Sequence, residues 1–253
     1  MSRHRPMPTA RTRSVLALIP LVGGIALTAC TSTEDTPDST PSMAAPTVTS
    51  ASVNPTDGLT PSAGTPATIP TSAFVELPTE LRKSPRRTTP VTDALPTMCG
   101  NEFGTGGRQV TASAAMTVTY KKAGEPETNT PQGMIHQVIF TFDGDGASAY
   151  LGRLRTDVRA CPAYDQSGNR VTVKSEPLTG VGDEALLLTR TWAETSLNGD
   201  RTGETASSQI AVARVGKAVT VFNDQGWEGT SGNPTILDRV VRDGAKTIDT
   251  WQG

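Results

Sequence analysis

Beyond the N-terminal segment this chain of 253 residues holds one histidine, His136. A Ser-His-Asp or Cys-His constellation would have to run through it. It stands, however, inside the apolar run of residues 134–142 (MIHQVIFTF), where a strand is predicted, and no G-x-S-x-G elbow occurs. His136 therefore reads as a packed or hydrogen-bonded strand residue. Asp143-Gly144-Asp145-Gly146 opens like a calcium loop, but its twelfth position is Leu154 where a bidentate Glu is needed. A turn that caps the following helix accounts for it. Gly180-Val181-Gly182-Asp183-Glu184-Ala185 spells the dinucleotide pattern G-x-G-x-x-A. That pattern works only where a helix N-terminus follows to face the pyrophosphate; here a strand follows, and two carboxylates would repel phosphate. Asp183 and Glu184, as neighbours in extended chain, should point to opposite faces and make a poor acid–base pair. One histidine and two spare cysteines supply no usual zinc set. Trp192 and Trp227 are candidates to line an apolar site or to pack at the core rim. No catalytic, cofactor-binding or metal residue is assigned, and no cofactor is expected.

The cysteines carry more. Arg3, His4, Arg5, Arg11 and Arg13 precede an apolar run, residues 15–27 (VLALIPLVGGIAL), which closes on Leu27-Thr28-Ala29-Cys30. About 20 helical residues are needed to cross hydrocarbon, so a run this short reads as the core of a signal peptide. The tetrad resembles the bacterial lipoprotein signal, in which the cysteine is diacylglycerylated and becomes the first residue. Two acyl chains anchor stably, at about 0.8 kcal/mol per buried methylene. The alternative is an ordinary cleaved leader with an incidental cysteine. With Cys30 acylated, Cys99 and Cys161 remain as an even pair in an oxidising compartment, so a disulfide between them is expected, two free thiols being the other outcome.

Four of the 23 basic residues and none of the 25 acidic ones precede Cys30, leaving 19 against 25, a net charge of −6. With no basic stripe and 4% aromatic residues, nucleic acid is not an expected partner. Arg82, Lys83, Arg86 and Arg87 form the one basic patch, read as a solvated loop.

Residues 1–29 are thus the expected signal peptide and residues 30–71 a lipidated cysteine with a disordered Ser/Thr/Pro-rich tether, too poor in large apolar side chains to offset chain entropy. The tether would reach about 120 Å if polyproline-like and about 40 Å as a coil. Residues 72–253 form the folded domain. Residues 73–83 suggest a short helix and then a loop. Strands are predicted at 114–121, 134–142, 170–178, 184–193, 207–215 and 218–223, the last two joined through Gly216-Lys217 as a type II′ hairpin. The strand at 134–142 places Met134, Val138, Phe140 and Phe142 on one face and Ile135 and Ile139 on the other, so it should lie centrally, covered on both sides. Residues 197–207 read as a polar loop. An amphipathic helix is predicted over 147–161, with Ala147, Tyr150, Leu151, Leu154, Val158 and Cys161 on one stripe. A second follows Asn233-Pro234, with Ile236, Leu237, Val240, Val241, Ile248 and Trp251 on its apolar face. The fold class is α+β, a mostly antiparallel sheet with helices packed on it.

The lipobox, the tether, Cys99-Gly100 before the first long strand, the helix SAYLGRLRTDVRAC, the turn LTGVGDEALLL and the hairpin AVARVGKAVTVF together resemble actinobacterial secreted lipoproteins. Among these they are most similar to the PknH-like extracellular sensor domains, over residues 74–251; the Mog1/PsbP-like sandwich lipoproteins are a second similar group. The sensor domains carry two disulfides and a presumed ligand cleft, whereas this chain can make one disulfide. The resemblance implies a non-enzymatic, lipid-anchored module on the extracytoplasmic face of the cell membrane, binding a small-molecule or protein ligand of unknown identity. Two alternatives stand beside it. One is an envelope hydrolase or transferase using carboxylates assembled by the fold, such as Glu102, Asp143, Asp145 and Asp183. The other is a structural surface lipoprotein with no pocket.

Overall fold

The computed structural model describes residues 68–100, 102–196 and 198–253, so the predicted signal peptide, Cys30 and the tether up to residue 67 lie outside the described residues. In chain order come a 3₁₀ turn (Thr71–Ala73), strands β1 (Arg82–Lys83) and β2 (Arg87–Thr88), the single-turn helix α1 (Val91–Ala94) and strands β3 (Val110–Lys121) and β4 (Gly133–Phe142). Helix α2 (Gly146–Ala160) follows, then β5 (Ala163–Gln166), β6 (Asn169–Pro177), β7 (Glu184–Thr195), β8 (Arg201–Val215), β9 (Ala218–Gly226), a 3₁₀ turn (Trp227–Gly229) and helix α3 (Pro234–Gln252). The strands form one antiparallel sheet in the order β1-β3-β4-β9-β8-β7-β6-β5, with β2 also on β3. Helix α2 carries the chain from β4 across one face to the far edge, and the β5–β9 meander returns to pair with β4.

Strand β4 sits between β3 and β9 with both faces covered, as apolar residues on both of its sides predict. Ile135 and Ile139 face the core beneath α3, while Val138, Phe140 and Phe142 face the core beneath α2. Helix α2 buries Ala147, Tyr150, Leu151, Leu154 and Val158, the predicted stripe, against Phe140, Phe142, Leu186, Leu188 and Val212. Helix α3 starts where Asn233-Pro234 says it should: Asn233 Oδ1 accepts the Ile236 N–H at 3.2 Å. Its apolar face lies on β8 and β9. Gly244 is needed there, because a Cβ would come within 2.5 Å of the Phe222 ring. Gly216 turns β8 into β9 with φ 55°, while Lys217 keeps negative φ, the pattern of a type II′ hairpin.

Several expectations are corrected. Residues 201–206 are strand, not loop: β7 and β8 pair on to Thr195 and Arg201, with a register shift between Ala193 and Thr195. They are exposed on both sides up to Thr205, so no alternation betrayed them. The short helix expected in residues 73–83 is instead the 3₁₀ turn ahead of it, then β1, with Pro78 between. The basic cluster is not one solvated loop. Arg86 Nη1 donates to the Phe74 carbonyl at 3.0 Å and Lys83 Nζ to the Leu77 carbonyl at 2.9 Å, and both pair with Glu76, fastening residues 71–77 to the sheet. Cys99 and Cys161 form a disulfide, Cα–Cα 6.2 Å, tying the C-terminal end of α2 to the segment between α1 and β3. No described helix is long and apolar enough to cross a membrane.

Candidate functional site

Along the strands beneath α2, the inward-facing positions change character at one level. On β7 the series is Leu186, Leu188, Arg190, Trp192; on β8 it is Val212, Ile210, Ser208; on β9 it is Val219, Val221, Asn223, Gln225; on β4 it is Phe140, Val138, His136. The apolar half lies under α2. The polar half forms a transverse band held by hydrogen bonds: Thr89 Oγ1 to Thr117 Oγ1 at 2.8 Å, Thr117 Oγ1 to His136 Nδ1 at 2.8 Å, Arg190 Nη2 to Asn223 Oδ1 at 3.1 Å and Arg190 Nε to Ser208 Oγ at 3.0 Å. His136 and Asn223 are direct cross-strand neighbours. His136 is the satisfied strand residue that the sequence implies, its imidazole pKa lowered by burial.

At the Arg190 end this band opens into a cleft of about 520 Å³, within the range of small-molecule sites. Leu95 and the α1 turn form one wall, the β5–β6 hairpin another, and the end of β9 with the following turn a third. Arg190, Ser208 and Trp192 line the floor; Tyr164, Gln166, Asn169 and Val171 come from the hairpin. Arg190 is 7% exposed. Desolvation lowers its pKa, with Tyr164 and Asp224 acting in the other direction, and it stays a cation at any physiological pH. Among the described residues no carboxylate lies within 4 Å of the guanidinium. Asn223, 1% exposed, uses its Oδ1 on Arg190 and leaves Nδ2 without a partner. Buried polar groups are ordinarily paired, so this band is held short of full satisfaction.

The opposite face carries a different buried charge. Asp224 on β9 is 0% exposed, and its carboxylate accepts the Tyr120 hydroxyl at 3.1 Å and the backbone N–H of Asn233 at the start of α3. Burial raises its pKa to about 6, against the pull of those two donors and of Arg190 across the sheet. Burial likewise raises the Tyr120 phenol, with the Asp224 carboxylate adding to the effect.

The sequence-proposed carboxylates are not brought into one centre. Asp145 accepts from Gln109 Nε2 at 3.0 Å and makes no side-chain cap on α2, which corrects its capping role. Leu154 is in the core, as expected. Asp183 binds Arg214 Nη1 at 2.9 Å, and Glu184 reaches the same guanidinium at 3.6 Å while pairing with Arg155, so the two acids converge on one cation instead of diverging. Glu102, 8% exposed, accepts the Gly100 N–H and lines a second cleft of about 410 Å³ with Tyr150, Arg108, Arg153 and Asp157. Cys99, Glu102 and Cys161 approach within 4.8 Å, but the two sulfurs are bonded to each other and are not available as a ligand pair. Trp192 lines the larger cleft; Trp227, half-buried in its 3₁₀ turn, does not.

Arg190 went unassigned in the sequence, yet a signal was there: in LLLTRTWA it falls in phase with Leu186 and Leu188. A cation at an inward-facing position of a strand is the anomaly. Its partners Ser208 and Asn223 lie 18 and 33 residues away and give no local sign.

The chain matches no family model and no curated protein. Among solved structures it is similar to the extracellular domain of PknH from Mycobacterium tuberculosis, at 14% identity and a TM-score of 0.43, over 69% of this chain and 85% of that one. No residue role is carried over from that likeness.

Proposed function

We propose that this chain is a lipid-anchored, extracytoplasmic, sensor-like binding module without catalytic activity, and that a ligand occupies the cleft between Leu95, the β5–β6 hairpin and Trp192. The observation that carries the reading is the change from apolar to polar at the inward-facing positions of neighbouring strands where the cover of α2 stops. Polar groups at core positions cost stability unless fully paired. Departures from the best-packed solution concentrate where a protein does its work. The groups gathered here are hydroxyls, amides, an indole and one guanidinium, a set that positions a ligand. The export-like segment, the tetrad ending at Cys30 and a disulfide, which persists in oxidising compartments, support the address.

The test is native mass spectrometry of the full chain recovered from the envelope of its own cells. A mass adduct released on denaturation is expected, and Gln166→Trp, which fills the cleft from its exposed rim, should abolish it. Recovery of the chain without adduct from envelopes, together with a Gln166→Trp chain indistinguishable from it in cells, overturns the ligand role. Metabolic labelling with a fatty-acid analogue tests the anchor: label at Cys30, lost in Cys30→Ser, is the expected result.

A further inference from the structure

Taking the cleft as a ligand site, and resting on that reading, we infer that it takes an organic monocarboxylate, bound through the guanidinium of Arg190 with its apolar or planar body against Trp192 and Leu95. A guanidinium has five N–H donors in a rigid fork. Arg190 commits Nε to Ser208 and one Nη2 N–H to Asn223, the neutral Tyr164 hydroxyl is a third hydrogen-bonding neighbour, and among the described residues no carboxylate pairs with the guanidinium. This is a desolvated cation with a donor edge turned to the cleft and no acid of its own. A buried charge of that kind is costly until a counter-charge arrives, so an anion gains more here than at an exposed arginine.

The charge to be matched is single. Phosphate sites gather several cations or the amides of a helix N-terminus around nearly two charges. Among the described residues the cleft offers one cation, and the exposed Asp93 on its rim opposes a second negative charge. A carboxylate fits the fork with two parallel hydrogen bonds and one charge. Ser208 behind Arg190 and Asn223 beside it fix the guanidinium plane, so the fork is presented without rotamer search. The rest of the lining is suited to an organic body: Trp192, Leu95 and Val171 are apolar surfaces, and Gln166 and Asn169 are neutral hydrogen-bonding groups at the mouth.

The experiment titrates the full chain with phenylacetate, its neutral isostere phenylacetamide, and orthophosphate, read by tryptophan fluorescence and by thermal shift. The acid should bind about tenfold or more tighter than the amide, the difference that a charged hydrogen-bonding partner makes, and orthophosphate should bind more weakly than the acid. Arg190→Gln should erase the acid–amide difference, and Arg190→Lys, which keeps the charge and loses the fork, should restore part of it. Equal binding of acid and amide, or tighter binding of orthophosphate, overturns the carboxylate assignment, and that comparison on the unmodified chain does not depend on any variant folding. Absence of saturable binding to the acid overturns it as well. If the chain recovered from its envelope nonetheless carries an uncharged adduct, the ligand-site reading survives and only the ligand class falls.

Discussion

Among the described residues each face of the sheet buries one charged strand side chain, and the two faces treat it differently. On the α3 face Asp224 is sealed: two donors hold its carboxylate, and Gly232 is small enough to let the chain pass against it. On the α2 face Arg190 has only neutral neighbours, Ser208, Asn223 and Tyr164, among the described residues, and a cleft in front of it. The first arrangement joins β3, β9 and the start of α3, and is part of the fold. The second, in the proposed function, is completed by a ligand. The 19-residue α3 lies on its face over Ala211, Ala213 and Phe222, and the buried polar side chains there are paired: Gln137 Nε2 donates to Thr220 Oγ1 and Gln137 Oε1 accepts the Val75 N–H. Helix α2, at 15 residues and bound for the far edge of the sheet, covers one end of its face and leaves the polar end open.

This contrast can be broken most forcefully through the elements that close each face. Removing the disulfide with Cys99→Ser and Cys161→Ser frees the α2 end and should cost about 4 kcal/mol, the chain-entropy value for a loop with a separation of 62 residues, measured by denaturant unfolding. Leu237→Ala on α3, at a fully buried site, should cost about 2–5 kcal/mol in the same measurement while leaving the cleft intact. A ligand response that survives Leu237→Ala under native conditions but fails without the disulfide would sharpen the division of labour between the faces.

Asp224 supplies a pH signature. Its pKa is about 6 in the folded state against 3.8 as the reference. The folded chain therefore holds this proton more tightly than the unfolded chain does. Its contribution to stability is fully present below about pH 3.8 and is lost as pH rises through 6. Across that window the unmodified chain should gain on the order of 1–3 kcal/mol relative to Asp224→Asn as pH falls. Paired urea titrations between pH 4 and pH 7.5 give the difference directly, and a flat difference would mean that Asp224 is not sealed. Asn233→Ala, which removes the α3 cap, should cost about 1 kcal/mol by the same assay.

Much of this fold could be read from the chain. The stripes of α2 and α3, the start of α3 at Asn233-Pro234 and the two-sided apolar run of β4 each follow from periodicities that tertiary context did not override. What escaped had no period to show. Strands β1 and β2 are two residues each, β5 is a four-residue edge strand, and the first five residues of β8 are polar on both sides. The site escaped for another reason. Thr117, His136, Arg190, Ser208 and Asn223 are unremarkable singly, and their meeting depends on the register of five strands. His136 was read as a packed or hydrogen-bonded strand residue, and Arg190, unassigned, left a sign only as a charge in phase with leucines. The opposite error came from Asp183 and Glu184, where alternation predicted divergence but Arg214 on the neighbouring strand draws both acids to itself.

The most direct measurement is the unfolding free energy of Arg190→Met, a replacement that keeps the length and removes the charge. If Arg190 is maintained for a ligand and not for the fold, desolvation relieved offsets the hydrogen bonds lost, and the unfolding free energy of the ligand-free chain should stay within about 1 kcal/mol of the unmodified protein or rise. A loss of about 3–5 kcal/mol, the cost of breaking an integral buried charge network, would place Arg190 with Asp224 as a structural ion and contradict the account.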